Sequence, residues 1–230
     1  MARTSSETRL GPRLRERRAA GRALLVPYLT AGFPDLAATP RLMADLAAAG
    51  ADVIELGVPF SDPLADGPTI QGSSQAALDG GASLAGTLRA LRLFRAADVD
   101  TPVVLFTYLN PVLRRGVDTF IADAVDAGAD GVLLTDLPLG ADPELEDDFE
   151  RSPLDLVRLI APTTAPERAG RIAFGVAPLP TREGVAPVSV LYASGWAVPR
   201  AAPHRRIWAY DVLPGGGHVA QTALGHVSGV

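Results

Sequence analysis

The segment AGADVIELGVP, Ala49 to Pro59, recurs in outline as AGADGVLLTDLP, Ala127 to Pro138, displaced by 127 minus 49, or 78 residues. Each copy reads as a helix end, a capping glycine, a short apolar strand and a proline-bearing loop. A repeat at that offset leaves room for two strand-helix units if one loop is long. Between the copies, Ser83 to Ala97 has helical spacing and Pro102 to Tyr108 reads as a strand. Asn110 and Pro111 read as a loop, and Val117 to Ala127 as a second helix. Strands alternating with helices of this size predict a parallel sheet covered by helices, whose chemistry lies in the loops after the strands.

The flanks extend the pattern. Leu10 to Ala20 predicts a short arginine-rich amphipathic helix, and Ala23 to Leu29 a buried strand closed by the turn residues Thr30 to Pro34. Leu36 to Ala49 then has helical periodicity, with Gly50 as its C-cap. Downstream, the acidic stretch Asp142 to Glu150 reads as a solvated loop or helix, and Leu154 to Ile160 as a fifth strand.

Charge and cysteine usage narrow the function classes. The chain has 230 residues, 47% of them hydrophobic and 20% charged, with a formal net charge of −5. Its basic residues are all arginines dispersed among acids, a poor match to the concentrated positive face that nucleic-acid binding requires. No apolar run approaches a membrane span, and the absence of cysteine fits a cytoplasmic location.

The run ELGVPFSDPLADGPTIQ, Glu55 to Gln71, carries the chemistry. A glutamate within an apolar strand is costly to bury as an ion, so burial favours its protonated form. Asp66 follows eleven positions later, after a loop stiffened by Pro59 and Pro63 and bent at Gly57. Two carboxylates on one rigid rim suit acid/base work if one is held protonated while the other stays ionised. The bland alternative is a hydrated glutamate at a strand end, with Asp62 and Asp66 as turn residues. Period-two alternation puts Val53 and Glu55 on one strand face and Ile54 and Leu56 on the other, so the carboxylate can point into a barrel mouth while its neighbours meet the helices.

As a unit, this run resembles the signature of the tryptophan synthase alpha chain family, and the resemblance extends from about Leu24 to about Ala173. It implies a (β/α)8 TIM-barrel fold of the α/β class, here incomplete, with about five β/α units recognisable. It also implies a lyase that splits indole-3-glycerol phosphate into indole and glyceraldehyde 3-phosphate, in the cytoplasm, without metal or organic cofactor. Glu55 and Asp66 take the catalytic positions. Tyr28, Phe106, Tyr108, Leu133, Thr135 and Ile160 align with positions lining the indole pocket. Asp62, Pro63 and Asn110 align with loops that meet a pyridoxal phosphate-dependent beta chain, the expected partner in an α2β2 assembly.

Beyond Ala173 no segment resembles the family, and the composition shifts. Subtracting 173 from 230 leaves 57 residues, whereas three β/α units need about 90. The expected division is therefore a partial barrel, 1–173, and an irregular tail, 174–230, with a strand at Val188 to Tyr192. That tail holds both tryptophans and all three histidines but only two acids, Glu183 and Asp211, as a replaced terminus or shifted reading frame would produce. Gly215 to Gly217 reads as a flexible turn rather than a phosphate cradle, and the histidines lack metal-ligand spacing. Two further readings stand beside the lyase: a non-catalytic remnant that binds a beta chain, and another barrel lyase or isomerase acting on a phosphorylated metabolite.

Overall fold

A computed structural model of the chain describes residues 8–159 and, beyond them, residues 168 and 172 and the strands at 196–197, 207–211 and 220–224. The chain divides into two compact units, residues 1–13 with 24–157, and residues 14–23 with 158–230. In the first, five parallel strands pair in chain order: β1 (Tyr28–Thr30), β2 (Ile54–Gly57), β3 (Val103–Thr107), β4 (Gly131–Leu134) and β5 (Asp155–Val157). Parallel neighbours in sequence order require crossovers, which the helices supply. These are α2 (Thr39–Ala48), α3 (Pro68–Asp79), α4 (Leu84–Arg95), α5 (Leu109–Arg115), α6 (Val117–Ala127) and α7 (Pro143–Arg151). Helix α1 (Leu10–Ala19) comes before them in the chain, and the division between the units falls within it, after Arg13.

Alternation along each strand sorts the side chains into two layers. Ile54 and Leu56 of β2, Val103 and Leu105 of β3, Val132 and Leu134 of β4 and Leu156 of β5 join one core with Met43, Leu88, Leu91, Phe94 and Phe120 of the helices. The intervening positions form the sheet's other face. There the register aligns Tyr28, Glu55, Val104 and Gly131 and, one step on, Thr30, Gly57, Phe106 and Leu133. The same-face expectation for Val53 and Glu55 is met by this pattern, since the helix-facing core takes Ile54 and Leu56.

Local chemistry explains the element ends. Ser83 caps α4 by accepting the Gly86 N–H at 3.2 Å, and Asp142 caps α7 by accepting the Leu145 N–H at 3.1 Å. Pro68 and Pro143 occupy first turns, where a missing N–H costs nothing. Gly50 and Gly128, 78 positions apart, follow α2 and α6 with φ of +97° and +87°, a conformation that side chains disfavour.

Several sequence expectations need correction. The buried strand at Ala23 to Leu29 shrinks to Tyr28–Thr30 because Pro27 lacks a donor and Leu25 is 50% exposed, although the Leu25 and Pro27 carbonyls still accept from Asp52 and Glu55. The helix expected from Leu36 begins at Thr39, with Pro40 in its first turn. Asn110 and Pro111 lie in the first turn of α5 rather than in a loop, again because an early helical proline leaves no bond unmade. Helix α3 adds an element to the expected order, since Gln71, Gly72, Ser73 and Ser74 interrupt its apolar period. The acidic stretch is a helix, and not merely a solvated one, because Leu145 and Phe149 enter the core.

In the second unit, β6 (Trp196–Ala197), β7 (Ile207–Asp211) and β8 (Ala220–Leu224) pair antiparallel in that order. The strand expected at Val188 to Tyr192, the three histidines, the triglycine at 215–217 and Ile160 lie outside the described residues.

Candidate active site

Glu55 sits mid-strand in β2, flanked by Tyr28 of β1 and Val104 of β3, and only 3% of its surface is exposed. No hydrogen bond to its carboxylate is made among the described residues. Burial without a compensating partner penalises the charged form and pushes its pKa from 4.5 up to about 7.

Gly57, one step along the same face, makes room for Tyr28. A Cβ there would lie 2.1 Å from the Tyr28 hydroxyl oxygen, so any larger residue would displace the ring. The ring meets Phe106 edge-on, with centroids 5.2 Å apart, and Thr30 next to it bonds the Ser73 hydroxyl of α3 at 2.7 Å. Tyr28, Glu55, Phe106 and Leu133 are thus brought onto one face. Gly57, expected from the sequence to bend the loop, instead ends β2 and gives its space to the Tyr28 ring, for which a glycine inside an otherwise apolar strand is the available signal; the Thr30–Ser73 pair has no local signal.

Asp66 belongs to the loop between β2 and α3 and is half-buried. Its Oδ2 accepts the Tyr108 hydroxyl at 3.0 Å, and the same phenol oxygen accepts the Ala65 N–H at 2.9 Å. Burial raises the Asp66 pKa, and the Tyr108 hydrogen bond opposes that rise. The Tyr108 phenol is itself pushed up to about 12, first by burial and then by the neighbouring Asp66 charge. Thr135, just past β4, donates its hydroxyl to the Thr107 carbonyl at 3.4 Å.

Asp62 and Asn110 line a separate surface cavity of about 690 Å³, together with Pro59, Phe60, Pro111 and Arg114. Pro63 stands in the same loop and accepts the Asp66 N–H at 3.0 Å. A second cavity, of about 590 Å³, lies between α6 and α7. Neither is lined by Glu55 or Asp66. Among the described residues, no group of three or more His, Cys, Asp or Glu side chains could hold a metal ion, and no helix is long and apolar enough to cross a membrane.

Comparison with known proteins places this geometry. The family model described as tryptophan synthase alpha chain matches residues 14–177. The tryptophan synthase alpha chain of Acidiphilium cryptum (strain JF-5) is 50% identical over 148 residues, 64% of this chain and 54% of that protein. That of Xanthomonas oryzae pv. oryzae (strain PXO99A) is 52% identical over 160 residues, 70% of this chain and 60% of that protein. The crystal structure of tryptophan synthase subunit alpha from Legionella pneumophila str. Paris superimposes with a TM-score of 0.70 at 41% identity, covering 73% of this chain and 64% of that one. The chain therefore spans less than two thirds of the length of these relatives. On the sequence match, the parallel β/α order and this structural likeness together, the chain belongs to the tryptophan synthase alpha chain family, with the α/β architecture of its TIM barrels.

Proposed function

We propose that the chain acts in tryptophan biosynthesis as a lyase, cleaving indole-3-glycerol phosphate to indole and glyceraldehyde 3-phosphate. The observation that carries this reading is the buried Glu55 carboxyl with its pKa near 7, on the face that also carries Tyr28, Phe106 and Leu133. In a retro-aldol cleavage the indole C3 gains a proton, leaving positive charge on the ring. The glyceryl hydroxyl then loses its proton, its C–O bond becomes a carbonyl, and the breaking C–C bond returns its electron pair to the ring. A carboxyl group titrating near neutrality can both give and take a proton at working pH. Asp66, whose Tyr108 hydrogen bond favours its charged form, accepts from the indole N–H as charge develops there.

The proposed reaction uses no metal or organic cofactor. Pyridoxal phosphate belongs to the proposed partner, a tryptophan synthase beta chain, and the cavity lined by Asp62 and Asn110 beside Pro63 is the proposed contact. Indole release from indole-3-glycerol phosphate by the full chain tests the reading. Glu55→Gln should lower the rate by about 10²- to 10⁴-fold, and undiminished turnover would refute the assignment.

The family match ends at residue 177 and covers a little over half of each relative's length, which favours a second reading: a subunit that binds and activates a beta chain without cleaving substrate. Absence of indole release, together with stimulation of a beta chain, would select it.

A further inference from the structure

We propose that Tyr108 is a positioning residue, whose hydroxyl tethers the loop carrying Asp66 to the end of β3 and so fixes where the Asp66 carboxylate points. The tether deepens the lyase reading and rests on it, but it can be tested without turnover.

Three points of one loop converge on this side chain. The phenol accepts the Ala65 N–H at 2.9 Å and donates to Asp66 Oδ2 at 3.0 Å, while the Phe60 ring lies against the phenol ring with centroids 5.1 Å apart and planes tilted by 31°. Tyr108 itself is buried and occupies the N-cap position of α5, so its backbone is held by β3 on one side and a helix on the other. The loop has little else to hold it. Its own hydrogen bonds are local, Leu64 N–H to Asp62 and Asp66 N–H to Pro63, and Leu64 is 91% exposed. From α3, the Gln71 side-chain amide donates to two loop carbonyls, that of Asp66 at 2.8 Å and that of Pro63 at 3.5 Å, but not to the Asp66 carboxylate, whose direction is left to Tyr108.

The hydroxyl's roles follow from its bonding. Its proton is committed to Asp66 and a lone pair to Ala65, so it is spent on holding the loop rather than on transferring a proton to substrate. Because burial and the Asp66 charge push its pKa to about 12, it remains a donor throughout the pH range in which the protein works. A donor to the ionised carboxylate favours that form, the form suited to accept from an indole N–H.

Tyr108→Phe removes the hydroxyl and keeps the ring against Phe60. In the full chain, the Asp66 carboxyl should titrate about one pH unit higher by carbon NMR, as loss of a hydrogen bond to a charged group requires. The Ala65 amide should exchange at least about tenfold faster with solvent as the tether is lost. An unchanged Asp66 titration in a folded variant would overturn the proposal. If the wild-type chain releases indole, Tyr108→Phe should lower kcat more than it raises KM and move the acidic limb of the pH profile upward. An unmoved profile would overturn the role in positioning. If the wild-type chain releases none, the lyase reading fails while the NMR titration still decides the tether. Should Tyr108→Phe fail to fold, 3-fluorotyrosine in the otherwise wild-type chain replaces it. One fluorine resonance should follow the Asp66 titration and lose that step in Asp66→Asn, and absence of the step would overturn the tether.

Discussion

Asp52 and Asp130 occupy equivalent places in the 78-residue repeat and do the same work: each buried carboxylate accepts, at 2.9 Å, a backbone N–H from the chain next to it in the sheet, that of Leu25 ahead of β1 and that of Val103 opening β3. Asp130 also takes charge-assisted bonds from Arg95 at 2.8 Å and Arg9 at 2.9 Å, and Arg13 stands 3.9 Å from Asp52. The two aspartates thus fasten the entry ends of the strands, opposite the ends whose loops carry Asp66 and Tyr108.

Asp130→Asn should therefore cost stability without touching the candidate site. Removing the nearer partner of this buried ion pair leaves Arg95 facing the more distant Asp98 carboxylate, at 3.9 Å, so a loss of about 3 kcal/mol is expected. Urea denaturation should record a lower midpoint with an unchanged slope, and an unchanged midpoint would contradict the fastening role.

Glu55 should make the fold less stable as pH rises. Its pKa is about 7 in the folded chain against 4.5 ordinarily, so between those values the folded state binds more protons than the unfolded one. The contribution is complete below about pH 4.5, declines through pH 7, and amounts to about 3 kcal/mol in all. Glu55→Gln should remove this decline from denaturation curves taken between pH 4 and 8. A wild-type and a variant that lose stability in parallel would contradict the shifted titration.

Gly57→Ala should disrupt Tyr28. The new Cβ would fall 2.1 Å from the hydroxyl oxygen and 2.5 Å from Cζ, so the ring must leave its place against Phe106. A cost of about 1 to 3 kcal/mol is expected from overpacking. The cost should shrink when Tyr28 is first cut back to Ala, and a double-mutant cycle with no coupling would exclude the contact.

Phe149→Ala should detach α7. Phe149 is fully buried, edge-on to Phe120 of α6 with centroids 6.3 Å apart, and its truncation should cost about 3 to 5 kcal/mol. Glu150→Ala in the same helix provides the comparison, and equal midpoints for the two variants would restore the view of this segment as merely solvated.

Much of the candidate site could be read from residue order. Glu55 stood out because an acid inside an apolar strand has few innocent explanations, and Asp66 because prolines frame it. The pairing of Tyr108 with Asp66 could not be read this way: the two are 42 positions apart, and nothing in either segment encodes the other. Asp52 and Asp130 stand in both repeat copies, yet nothing local marks their role, because only the folded sheet shows which N–H each carboxylate meets. Helix α3 is hidden by its polar composition, and its ends are set instead by Pro68 in its first turn and by Gly80 and Gly81, the latter at a φ of +82°.

The sequence alone determined the alternation of strands and helices, the face on which Glu55 lies, and the family, because hydrophobic period and a long specific motif are local properties of the chain. Only the tertiary structure decided that Glu55 finds no hydrogen-bond partner among the described residues, that Gly57 yields its space to Tyr28, and that one phenol holds the Asp66 loop. Those depend on register and burial, which bring distant residues within hydrogen-bond and van der Waals range, and no local pattern carries that information.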